Sequence, residues 1–176
     1  MSQDRDAAGS RTPVTAAPPL PWPVAATVVA ALTRRAETLA VAESFTGGLV
    51  CARIVDVAGS STVLRGGVIA YATDLKHSLL GVPAALVASR GAVDPEVARA
   101  MAAGVRERLG ATWGLATTGV AGPTGQDGKP PGTGFVAVAG PGGLVEVVPL
   151  LLPGSRPAVR DASARAALAA LSRHLG

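Results

Sequence analysis

A short apolar run, Thr38 to Ala42 (TLAVA), breaks into Glu43-Ser44-Phe45-Thr46-Gly47-Gly48 and is followed by apolar residues at helical spacing. A buried strand that passes into a helix through a polar, glycine-bearing turn commits the chain to an α/β arrangement. The helix is expected to start near Thr46, to turn Leu49, Val50, Ile54 and Val55 inward, and to stop before Gly59.

The same alternation continues on both sides of this unit. A helix is expected over Val24 to Arg35, where Val28, Val29 and Leu32 share a face and two arginines complement the C-terminal dipole. Residues Thr62 to Ala72, containing VIAYA after the Gly66-Gly67 pair, are expected to form a second strand, followed by a short helix around Asp74 to Leu80. Asp94-Pro95-Glu96 is a helix opening, with a capping carboxylate, a proline where its missing N–H does no harm, and an acid at the positive end. That helix should run to about Leu109. Strands follow at Thr112 to Thr118, Thr133 to Ala139 and Leu144 to Leu151, the last two joined by a PGG hairpin turn, before a final helix over Ala158 to Leu175. Helices alternating with strands and a late hairpin imply a mixed sheet covered by helices. At 176 residues one core is expected, over residues 23–176, behind a proline-rich leader at 1–22 read as disordered.

Several function classes are excluded. The apolar stretch Leu20 to Thr33 is too short to cross a bilayer, and no compact basic region precedes it. One cysteine, Cys51, leaves no internal disulfide, and two scattered histidines make no zinc-type cluster, so a reducing, cytoplasmic setting without a metal or cofactor is expected. The net charge of +4 suits an anionic small molecule, and no basic run calls for nucleic acid.

Chemistry-bearing residues gather at the strand ends. Ser44 stands where a strand gives way to a helix, a setting for a nucleophile beside backbone donors, although a plain helix cap with close-packed glycines is the other reading. Lys76 and Lys129 are the only lysines among 16 basic residues. Lysine, unlike arginine, loses its proton when desolvated and can then act as a base, so Lys76, just past the single tyrosine Tyr71, is a candidate partner for Ser44. His77 with Asp74 offers a rival serine–histidine–aspartate arrangement, ranked lower, and Cys51 reads as core. Thr118 and Gly119 in TTGVAGP supply a hydroxyl and amides for a nucleotide, and Arg156 and Arg160 at the opening of the last helix suit an anion.

Taken together, AESFTGG, the GSS at Gly59 to Ser61, RGGVIAYATDLK, LLGV, RGAV, TTGVAGPTG, KPPGT and GSRPAVR resemble the CinA C-terminal domain family, from about residue 24 to the end. The resemblance implies a three-layer α/β/α sandwich that hydrolyses the carboxamide of nicotinamide mononucleotide to nicotinate mononucleotide and ammonia, in the family's stand-alone form. It places the family's serine, lysine and tyrosine on Ser44, Lys76 and Tyr71, and its ligand-lining loops on Thr46, Gly47, Gly48, Thr118 and Gly119. Amides near Thr46 to Gly48 are expected to hold the oxyanion, and Tyr71 to orient Lys76 or relay its proton. The family commonly has Cys where this chain has Phe45, so a cysteine nucleophile would leave this chain inactive. A non-catalytic competence- or damage-associated module and a hydrolase of another pyridine nucleotide are the alternative readings, and a homodimer is expected.

Overall fold

The computed structural model describes residues 22–176; the expected leader lies outside these residues except for Trp22. Trp22 belongs to the folded unit. It is 7% exposed, caps the first helix, and stacks with the guanidinium groups of Arg53 and Arg165, 4.9 and 4.1 Å from its ring.

In chain order the elements are α1 (Pro23–Arg35), β1 (Leu39–Glu43), α2 (Leu49–Val55), β2 (Leu64–Ile69), α3 (Thr73–Leu80), α4 (Ala84–Arg90), α5 (Pro95–Arg108), β3 (Trp113–Gly119), β4 (Thr133–Ala139), β5 (Val145–Leu151) and α6 (Arg156–Leu175). They form one five-stranded sheet in the order β2-β1-β3-β4-β5. β1 runs parallel to β2 and β3, while β4 is antiparallel to β3 and β5, so the sheet is mixed, as expected.

The pleat sends alternate residues to opposite faces. Leu39, Val41, Trp113, Leu115, Val136 and Val138 meet α1, α2 and α6 on one face. Ala40, Ala42, Ala116, Ala137 and Ala139 meet α5 and the end of α3 on the other. Helices on both faces give the three layers. The alanine face lets α5 approach closely: Gly114 lies against the Ala102 carbonyl, and Gly104 of α5 lies against the Leu80 carbonyl. No helix among the described residues is long and apolar enough to cross a membrane.

Four local expectations need correction. α2 begins at Leu49 rather than near Thr46, because Gly47 and Gly48 adopt left-handed φ of +62° and +93° and hold residues 44–48 as a turn. Val55, expected inward, is 62% exposed on the last turn of that short helix. α4 is absent from the sequence expectations, since its seven residues bury no side chain fully and only Leu86 and Val87 pack against the core, too few to mark a helical period. α6 starts at Arg156, so Arg156 and Pro157 fill its first turn.

The far end of α6 is fastened by a polar cluster. Glu146 accepts hydrogen bonds from Arg173 and His174, each at 2.7 Å, and His174 stacks on Trp113 at 6.0 Å. Burial pushes the Glu146 carboxyl up, but the hydrogen bonds and charges of Arg173 and His174 outweigh it and hold it below the ordinary carboxylate range. A depressed folded-state pKa adds stability above the unfolded value, which disappears as pH falls through the folded one. Glu146→Gln is therefore expected to lower stability by about 1 kcal/mol at neutral pH, with the gap closing as pH falls through the folded-state pKa. Denaturant unfolding of both proteins at neutral and at acid pH checks this.

Candidate active site

The carboxyl ends of the three parallel strands converge on one cavity of ≈ 250 Å³, where ligands of open α/β sheets bind. Ser44 extends β1 by one residue, its amide donating to Thr117 O at 3.0 Å, and its side chain lines the cavity. Tyr71 and Lys76 arrive after β2, and Thr118 and Gly119 end β3.

Lys76 is the largest fully buried side chain, at 1% exposure. Its Nζ donates to Ser44 Oγ at 3.2 Å and to Ala70 O at 2.9 Å. Burial pushes its pKa down against the opposing pull of Asp74, which favours the uncharged amine. A desolvated amine in hydrogen-bond contact with a hydroxyl has the geometry of a base and its nucleophile. Cavity-lining Arg156 donates to Gly122 O at 2.7 Å and to Tyr71 Oη at 2.8 Å. No Asp or Glu lines the cavity among the described residues, so it favours anions.

Not every expected residue is here. Tyr71 lines the cavity but is 57% exposed, and its hydroxyl pairs with Arg156 rather than with Lys76. The Thr118 hydroxyl donates to Ala92 O at 2.7 Å, leaving its lone pairs toward other partners. Thr46 is buried away from the cavity, sharing a 2.7 Å hydrogen bond with Thr117. The Gly47 amide is taken by Ser44 O and the Gly48 amide by Glu43 Oε2, so neither can hold an oxyanion. Arg160, expected on an anion, instead grips the carbonyls of Phe45 and Thr46 at 3.2 and 2.7 Å. His77 Nδ1 contacts Val82 O at 2.8 Å and makes no bond to Asp74 or Ser44, which removes the rival triad. Burial and nearby Glu43 push the Cys51 thiol up, making it an inert packing group.

The sequence reading missed Glu43, whose carboxylate accepts three main-chain amides, and the cavity residues Thr73, Thr124 and Gln126. A carboxylate that bonds amides five, seven and eight residues on produces no side-chain periodicity to detect. The loop residues carry ordinary turn chemistry.

The family model for the CinA C-terminal domain matches residues 22–175. The chain belongs to the CinA C-terminal domain family. A CinA-like protein of Frankia casuarinae is 53% identical over 148 residues, covering 84% of this chain and 34% of the relative. A second CinA-like protein, from Anaeromyxobacter, is 51% identical over 144 residues, covering 81% and 35%. The chain thus spans about a third of the length of these CinA relatives. The crystal structure of a CinA superfamily protein from Klebsiella pneumoniae superimposes with a TM-score of 0.83 at 32% identity, covering 87% of this chain and 96% of that one. A competence/damage inducible protein from Agrobacterium tumefaciens gives 0.83 at 33%, covering 87% and 93%. These superpositions support the α/β fold, a mixed five-stranded sheet with helices on both sides.

Proposed function

We propose that this chain is an amidohydrolase that converts nicotinamide mononucleotide to nicotinate mononucleotide and ammonia, using Ser44 as nucleophile and Lys76 as base. The contact that carries this reading is the 3.2 Å hydrogen bond between a fully buried lysine and a cavity-facing serine.

In this scheme uncharged Lys76 takes the Ser44 hydroxyl proton as Oγ attacks the amide carbon. The proton passes to the departing nitrogen, the C–N bond breaks, and ammonia leaves. Water then adds to the ester, its proton going to Lys76, and releases the acid with Ser44 restored. Arg156, in the first turn of α6, is the charge offered to the phosphate. Tyr71, bonded to Arg156, holds that guanidinium over the cavity, a positioning part in place of a proton relay. Thr118 and Gly119 line the same cavity as Ser44. The scheme needs no metal or cofactor, and we place the protein in the cytoplasm as a homo-oligomer.

The decisive experiment incubates the purified protein with nicotinamide mononucleotide, the corresponding riboside and a pyridine dinucleotide, and measures ammonia. Release from the mononucleotide supports the reading. Release from the dinucleotide alone moves the substrate, and release from none favours a non-catalytic CinA-type module. Ser44→Ala is expected to reduce release to background while leaving circular dichroism and thermal unfolding unchanged; undiminished turnover would move the nucleophile elsewhere.

A further inference from the structure

Glu43 is fully buried next to Ser44, yet the proposed reaction gives it no part. Its Oε2 accepts from the amides of Gly48 at 2.9 Å and Val50 at 3.1 Å, and its Oε1 from Cys51 at 2.8 Å. The side chain thereby ties the end of β1 to the start of α2 and closes residues 44–48 into a ring. Arg160 holds the outer side of the same ring through the Phe45 and Thr46 carbonyls.

These bonds decide which amides stay available. Carbonyl and amide of a trans peptide point in opposite directions. The Ser44 carbonyl accepts from Gly47 inside the turn, which aims the Phe45 amide outward. The Phe45 carbonyl is held by Arg160, which aims the Thr46 amide away from Arg160. Neither amide has an acceptor among the described residues, whereas those of Gly47, Gly48, Val50 and Cys51 are all occupied. We propose that Glu43 is the positioning residue of the nucleophile turn: by absorbing the amides at the head of α2 it leaves that of Phe45, which lines the cavity, as the oxyanion donor beside Ser44.

The inference rests on the Ser44 reading but not on the substrate, and the test is chosen accordingly. Phenylmethanesulfonyl fluoride reacts at an activated serine: the Oγ–S bond forms, the S–F bond breaks, fluoride leaves and the hydroxyl proton passes to Lys76. Its rate, with Ser44→Ala as blank, is measured for wild type, Glu43→Gln and Glu43→Asp beside kcat and KM for the mononucleotide. Gln accepts only at its carbonyl oxygen and donates at the other end, so at least one amide faces an NH₂ whichever way it lies. Glu43→Gln is expected to slow sulfonylation and kcat together by roughly 10–100-fold, the scale of a small misplacement of reacting groups. KM should stay within about twofold and the pH midpoint of sulfonylation should not move, because Lys76 is untouched. Glu43→Asp should recover part of the rate. Wild-type rates in Glu43→Gln would overturn the proposal, as would a moved pH midpoint or a change confined to KM. Sulfonylation without turnover of the mononucleotide would overturn the substrate assignment alone, and the comparison of rates would still decide the part played by Glu43.

Discussion

Lys76→Arg is expected to bring ammonia release close to background, a loss of roughly 10²–10⁴-fold in kcat, the usual scale for a general base. Arginine keeps the length and the hydrogen-bond donors but stays protonated at every accessible pH, so it cannot take the Ser44 proton. The wild-type pH profile carries the same information. Activity should fall as pH drops through the folded-state pKa of Lys76, which burial holds below the ordinary lysine value against the pull of Asp74. Stability should move in the same direction. Between that depressed value and about 10.4 the unfolded chain carries a proton that the folded chain lacks, so the contribution of Lys76 is smallest below the window and grows as pH rises through it. Compared with Lys76→Met, wild type should therefore gain relative stability with rising pH while Met stays inactive throughout. More than a tenth of wild-type turnover in Lys76→Arg would remove Lys76 from the role of base.

The second large effect is expected from Gly114→Ala. A methyl group there meets the carbonyl of Ala102 and lies 2.8 Å from Arg106 Cβ, so helix and strand must separate to admit it. Overpacking of this kind costs about 3 kcal/mol or more when the obstruction is main chain, because no rotamer relieves it. For a domain of this size the melting temperature should fall by about 6–12 °C. Gly104→Ala, which meets the Leu80 carbonyl, should behave alike. A melting temperature within about 2 °C of wild type would mean that α5 sits farther from the sheet.

The legible and illegible parts of this chain divide along a physical line. Short apolar runs, the Asp94 cap with its 2.8 Å bond to the Glu96 amide, and the PGG turn are local signals, and the elements they mark form close to where they were expected. Ser44 and Lys76 were visible because one lies at a strand end and the other is a rare lysine. What stayed hidden depends on neighbours distant in sequence. Arg160 looks like an anion ligand until α6 is seen to lay it across the carbonyls of Phe45 and Thr46. Tyr71 looks like a partner for Lys76 until Arg156 occupies its hydroxyl. Glu43 is the exception, hidden among near neighbours: it reads as the polar tip of a strand because main-chain amides five, seven and eight residues on leave no mark in the side-chain pattern.

The way Lys76 is anchored makes the site sensitive to heat. One of its two hydrogen bonds goes to the Ala70 carbonyl, immediately past β2, and β2 is an outer strand that pairs on one side only among the described residues. Rim strands open first in local fluctuations, well before the body of a protein lets go. As samples warm, turnover should fade while the spectroscopic signal of the fold still holds, the working apparatus being hung on the part of the sheet that loosens earliest.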